Sequence, residues 1–354
     1  MTTIHFVYPH GPRISTPDAI GRNVAEKLSR DYRVIAYDWH ESRLIKPGED
    51  DVLLGHPHPW PRTTFRLSAR QPGWKRIIAM FPYNHDLKQV AFFDFVVNHC
   101  DLFLAITGRY WFNTIEISPF AHWRPKMVHL DLAVDRQDFP VIKNELNKPG
   151  RRRLIYIGHD LWFKNTPYLS RIASAMPETK ISWLGVGTSN SISGLNPLGY
   201  RDFSQETAKR IIAEHDFLIT VGKADANPTT ILEAMAWGLI PVCTPQSGYI
   251  GYPGIMNIPL DDLEGAVKVL RDLQEWPDER LKEIQRVNWE ALDRHFNWDR
   301  FADQIREAIE SMDSPCLAGV SMGRRLQFLG AWLTSPHIYG HLRFLWKKLI
   351  MSLS

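Results

Sequence analysis

The 354-residue chain is 44% hydrophobic and 23% charged, too apolar for a disordered polymer and long enough for two domains with separate cores. Cys100, Cys243 and Cys316 are scattered and odd in number, which excludes a disulfide framework or clustered zinc site and fits a reducing compartment. The net charge is +3, yet the five Lys/Arg after Asp313 stand without an acid, so the preceding body is net negative.

The first residues run straight into a strand without the basic-then-apolar order of a signal peptide, and no apolar run reaches the ~18 residues of a membrane span. A cytoplasmic protein is expected, peripheral on the inner membrane face at most. Short β-rich runs alternating with amphipathic patterns predict parallel sheets with crossover helices. Strands are expected at Ile4–Tyr8, Arg33–Tyr37, Asp51–Gly55, Arg76–Phe81, Leu102–Ile106 and Lys126–Leu130, with a helix at Ala19–Ser29. The polar, turn-rich stretch from Asp135 to Gly150 reads as a linker. A second doubly wound domain follows, with strands at Leu154–Gly158, Lys180–Leu184, Phe217–Val221 and Leu239–Cys243 and helices at Pro167–Ala175, Ser204–His215 and Thr230–Trp237. Three helical patterns run from Asp262 to Ser311, ahead of a basic, aromatic tail.

The most informative stretch is Gly222 to Val242, which places a loop acid, a helix start and a buried strand in succession. Pro228, Thr229 and Thr230 open a helix whose free N–H groups and positive dipole end suit a diphosphate. Glu233, one turn in, can accept hydrogen bonds from vicinal ribose hydroxyls, and Asp225 in the loop can do the same for a sugar hydroxyl. Two acids separated by seven residues thus grip both ends of one donor.

That segment resembles the E-x7-E region of the GT4-type retaining glycosyltransferases, which continues Glu-Ala-Met-Ala-x-Gly-x-Pro-Val; Glu233 to Val242 matches, and Asp225 replaces the first Glu. The resemblance implies an α/β GT-B fold: two Rossmann-like doubly wound domains facing a central cleft, plus C-terminal helices. It places an acceptor-side domain at 1–145, a nucleotide-sugar domain at 150–297, a helix crossing back at 298–322 and a tail at 323–354. Upstream, Arg153 to Pro167 resembles the family's strand with its Gly and Lys-Asn: Gly158 and His159 (Arg in the family) would line the donor site, and Lys164 would neutralise the diphosphate. Donor-binding residues are then Gly11, Gly158, His159, Lys164, Asp225, Pro228, Thr229, Thr230 and Glu233. The family's strand-end histidine maps to His85, which with Asp225 and Lys164 makes the catalytic set. Arg13, His56, His58 and Asp86 are acceptor-side candidates. His56-x-His58 has too few further ligands nearby for a metal site, and neither metal nor cofactor is expected.

The implied activity is transfer from a UDP- or GDP-sugar to a glycan or lipid-linked acceptor, in cell-surface polysaccharide or glycolipid synthesis, with retention. A noncatalytic nucleotide-sugar-binding subunit and a sugar-nucleotide epimerase of the same fold are the alternatives. No nucleic-acid partner is expected. In the tail, Leu342, Leu345, Trp346, Leu349 and Ile350 share one helical face beside Arg343, Lys347 and Lys348, the pattern of a helix on an anionic membrane. Arg62, Arg66, Arg70, Lys75 and Arg76, interleaved with Trp60, Phe65 and Trp74, are expected to add a second basic contact.

Overall fold

The structure, a computed structural model, describes residues 1–11, 15–187, 192–311, 315, 317, 319–336, 338, 340 and 342. The chain divides into two compact units. Unit 1 holds residues 1–106, 112–130 and those from 301 on; unit 2 holds residues 107–111 and 131–300.

In unit 1 the strands β1 (Thr3–Val7), β2 (Arg33–Tyr37), β3 (Val52–Gly55), β4 (Arg76–Pro82), β5 (Leu102–Ile106) and β6 (Met127–Leu130) form one parallel sheet in the order β2-β1-β3-β4-β5-β6. β3 and β5 are buried along their whole length, as expected of parallel strands covered on both faces, and this is why they read as unbroken apolar runs. The Thr16–Leu28 helix starts at Ser15, whose hydroxyl accepts from the Asp18 N–H, and Gly21 lets it approach Pro9, since a Cβ there would lie 1.7 Å from the Pro9 carbonyl oxygen.

Unit 2 repeats the design with β7 (Leu154–Ile157), β8 (Ile181–Leu184), β9 (Asn196–Gly199), β10 (Phe217–Thr220), β11 (Ile240–Cys243) and β12 (Met256–Asn257), all parallel, in the order β12-β11-β10-β7-β8-β9. The edge strands β9 and β12 escape sequence reading: one carries Pro197 and Gly199, the other is two residues long, and pairing with a preformed neighbour creates both. In each sheet the chain leaves in opposite directions from two adjacent strands, β1/β3 and β7/β10, and such switch points open a crevice at the carboxyl ends of the strands.

Three expectations change. Residues 135–150 are not a free linker: the Ile142 and Lys143 N–H groups donate to the Trp237 carbonyl, the Lys143 ammonium lies 3.2 Å from the buried Asp216 carboxylate, and the Asn147 side chain donates to Asp216. The basic run near residue 70 is a surface patch only in part: Arg62, Arg70 and Lys75 are exposed, whereas Phe65, Arg66 and Arg76 are buried. Arg66 lies over the Trp332 ring, burial and Arg70 lower its pKa to about 10, and Arg76 donates to the Ala308 carbonyl. The tail's first part is the Met322–Leu333 helix, which buries Phe328 against Phe120 and His122 within unit 1 and exposes Met322, Leu326 and Leu333. Leu345, Trp346, Leu349, Ile350, Arg343, Lys347 and Lys348 lie outside the described residues, as does Arg13.

Candidate functional site

The crevice of unit 2 is built from the loops after β7 and β10. After β7 the chain turns at Gly158, whose carbonyl accepts from the Trp183 indole at 2.9 Å, and the Tyr156 hydroxyl donates to the His159 carbonyl at 2.9 Å. Close approach here requires glycine, since a Cβ on Gly185 would sit 1.9 Å from the Gly158 oxygen. A short helical turn, Trp162–Lys164, ends at Asn165 in the left-handed region (φ 56°), and this redirects the chain into the Thr166–Ala175 helix. Thr166 donates to Asp160 across that bend.

The loop after β10 is pinned through its carbonyls. Thr244 donates to Gly222 O at 2.5 Å, the Trp111 indole to Asp225 O at 2.7 Å, and the Gly108 N–H to Ala226 O at 2.9 Å. The Lys223 N–H donates to Phe163 O at 2.9 Å, which ties the two crevice loops together. These bonds fix the loop's main chain, while its side chains Asp225 and Asn227 bond to Lys164 and Tyr249.

Lys164 and Asp225, one from each loop, meet here: the Lys164 ammonium donates to Asp225 Oδ2 at 2.5 Å, with the two side chains 17% and 12% exposed. The Thr229–Trp237 helix begins four residues beyond Asp225. Pro228 precedes it and supplies no side-chain cap, and the Ile231 N–H donates to the Pro228 carbonyl at 3.3 Å. Ile231, Leu232 and Ala234 to Trp237 are core, and Glu233 with Thr229 and Thr230 forms the half-buried side. Burial pushes the Glu233 carboxyl up to about 7 against the opposing pull of the Thr229 hydroxyl bond and the Lys164 cation. The site thus gathers one cation, two acids and a helix N-terminus, the set that an anionic leaving group and vicinal hydroxyls require.

Of the other donor-side candidates, Pro228 is buried, His159 is exposed with its carbonyl engaged, and Gly11 lies in unit 1 with its N–H donating to Asp18 Oδ1 at 2.9 Å. Unit 1 holds the remaining candidates. His85 is half-buried and edge-on to Tyr83 at 5.6 Å. Asp86 caps the single helical turn Leu87–Val90, accepting from the Gln89 N–H at 2.9 Å. His56 and His58 are buried beyond β3 among Tyr8, Trp39, His40 and Trp60, and His58 Nδ1 accepts from the Trp60 N–H. No group of three or more His, Cys, Asp or Glu suited to a metal ion occurs among the described residues.

No protein-family model and no curated protein matches the chain. Solved structures do. Sucrose-phosphate synthase from Thermosynechococcus elongatus superposes with TM-score 0.63 at 11% identity, covering 87% of this chain and 98% of that one. The fold is that of the GT-B glycosyltransferases. A glycosyltransferase from Rickettsia africae ESF-5 gives TM-score 0.59 at 11% identity, with 87% and 98% covered. The pneumococcal O-GlcNAc transferase GtfA, solved with UDP and GlcNAc, gives 0.51 at 14%, with 74% and 57% covered.

Within this GT-B fold the structure adds residues that the motif does not reveal. Trp111, Thr244 and Tyr249 hold the Asp225 loop from positions far away in sequence, and Asn227 inside it is fixed by Tyr249. The only local signal was the Thr-Pro-Gln-Ser-Gly turn that follows β11.

Proposed function

We propose that the protein is a retaining glycosyltransferase that moves a hexosyl group from a nucleoside-diphosphate sugar to a glycan or lipid-linked acceptor in cell-surface polysaccharide or glycolipid synthesis. The observation that carries this is the Lys164–Asp225 pair beside Glu233 at the start of the Thr229–Trp237 helix, on the switch point of a GT-B sheet. Glycosyl transfer builds positive charge on the sugar ring and negative charge on the departing diphosphate, so a preorganised cation and helix N-terminus lower the barrier on the leaving-group side. In this reading Lys164 leaves Asp225 for the diphosphate and Asp225 turns to a sugar hydroxyl. Glu233 takes the ribose, and His85 is the catalytic histidine that the family resemblance implies. Retention rests on the resemblance of Glu233 to Val242 to the GT4 motif. UDP-sugars are the first donors to try, because GtfA of the same fold was solved with UDP.

The experiment is release of nucleoside diphosphate from UDP- and GDP-sugars by native protein and Glu233→Ala. Release by the native protein and none by the variant supports the reading. Tight nucleotide-sugar binding without release or transfer favours the noncatalytic binding subunit instead.

No helix among the described residues is long and apolar enough to cross a membrane. The reading includes peripheral docking on an anionic inner leaflet through the basic C-terminal segment, each basic side chain adding ~1 kcal/mol. Vesicle sedimentation tests it with a truncation of residues 337–354, which spares the Met322–Leu333 helix packed on unit 1. Salt-sensitive pelleting with anionic vesicles alone, lost on truncation, is the expected result; equal pelleting of both forms refutes it.

A further inference from the structure

Two side-chain amides beside Asp225 are held at one end and unmet at the other. Asn227 is 7% exposed, and its Oδ1 accepts from the Tyr249 hydroxyl at 2.5 Å, which fixes the amide plane. Its Nδ2 is buried and has no partner among the described residues. Gln246 accepts the Asp225 N–H on its main-chain oxygen at 3.2 Å, and its Nε2 donates to the Tyr110 hydroxyl at 3.3 Å. Its Oε1 is likewise buried without a partner. A buried polar group left unmet costs about 1–3 kcal/mol, and native proteins keep one where a ligand or water completes it. An unmet amide N–H is completed by an oxygen that accepts from it and an unmet amide oxygen by a group that donates to it, and a hydroxyl can fill either role.

We propose that Asn227, assisted by Gln246, is a specificity-determining residue that binds one hydroxyl of the transferred sugar, so that the donor class excludes sugars deoxygenated at that position. This rests on the transferase reading above. Asn227 stands two residues past Asp225 in a loop whose carbonyls are pinned, directly ahead of the helix that receives the diphosphate. A site built around a hydroxyl rejects the analogue lacking it, because the buried amides are then left unpaired again.

The test is calorimetric. Native protein, Asn227→Leu and Gln246→Leu are titrated with UDP, GDP, UDP-glucose, UDP-N-acetylglucosamine and GDP-mannose, and the gain in affinity from the sugar is read as a ratio of Kd values. Asn227→Leu keeps the number of side-chain heavy atoms while removing both polar ends, and Tyr249 retains the Pro228 carbonyl at 3.4 Å, so the loop keeps an anchor. The expected result is a sugar gain that falls about tenfold or more in either variant while the affinity for the bare nucleotide stays within about twofold. The matched monodeoxy nucleotide sugar binds native protein as weakly as the full donor binds Asn227→Leu, and the variant no longer tells the two apart. An unchanged sugar gain shows that water alone completes the amides and overturns the proposal, as does equal loss for nucleotide and nucleotide sugar. Failure of native protein to bind any of the five probes refutes the transferase reading itself, a separate outcome. If Asn227→Leu does not fold, Gln246→Leu and the monodeoxy donor carry the test.

Discussion

Lys164 has two partners in this account, and removing either one has a predictable sign. In the free protein its ammonium is held by Asp225 at 2.5 Å, and a bound diphosphate must take it over. A unit charge pair at ~4 Å in surroundings of effective dielectric ~20 is worth ~4 kcal/mol, so the phosphate's gain and the loss of Asp225 nearly offset each other in the native protein. Lys164→Ala removes the cation and leaves the Asp225 carboxylate facing the phosphates. Because both side chains keep some solvent contact, the cost falls below the ~3–5 kcal/mol of a fully buried orphan and comes to about 2 kcal/mol, a roughly thirtyfold loss of UDP or GDP affinity. UMP or GMP, with less charge at that point, should lose less. Asp225→Asn acts the other way: it frees Lys164 and tightens the bare diphosphate severalfold while weakening the nucleotide sugar. Lys164→Ala/Asp225→Asn should regain about tenfold over Lys164→Ala alone. Isothermal titration of these variants decides the matter. If the double variant binds UDP and GDP no better than Lys164→Ala, or if Asp225→Asn loosens the diphosphate, Lys164 does not exchange Asp225 for phosphate.

Three further outcomes are expected. Burial raises the folded-state Glu233 pKa from 4.5 to about 7, so the folded protein holds the extra proton in that window and stability falls as pH rises through it. Glu233→Gln should flatten that slope, on the order of 2 kcal/mol for a carboxyl that keeps some exposure, and a melting series that shows the same slope in both proteins contradicts the assignment. His85→Ala should lower kcat by about a hundredfold or more with donor affinity within about twofold; equal loss in both, or in neither, moves the role to His56 or His58. Gly108→Ala should lower stability by about 1–3 kcal/mol and loosen the Asp225 loop, because its Cβ would meet the Gly248 carbonyl oxygen at 2.0 Å; an unchanged denaturant midpoint contradicts that packing.

Much of the proposed donor side is legible in the sequence because it is local. Glu233 sits one turn into a helix that Pro228, Thr229 and Thr230 announce, and the parallel strands are apolar runs bounded by turns. The Lys164–Asp225 contact joins residues separated by 61 positions and needs the β7/β10 adjacency, which periodicity does not encode. The same holds for Trp111 and Tyr249, which clamp the loop from other parts of the chain, and for the orphaned end of Asn227, visible only once burial is known. Charge patterning misled where long side chains carry buried stems: Arg66 and Arg76 read as surface cations, yet Arg66 lies over the Trp332 ring and Arg76 donates to a carbonyl of the Trp298–Glu310 helix.

The most direct measurement of the central claim is titration of native protein and Glu233→Ala with a panel of UDP- and GDP-sugars, followed by phosphorus NMR of the native mixtures. The account predicts that at least one nucleotide sugar binds native protein and is converted to its nucleoside diphosphate, and that Glu233→Ala, still folded by circular dichroism, binds none of them. Equal binding by the two proteins would remove Glu233 from the donor site, and no binding by the native protein would contradict the transferase assignment.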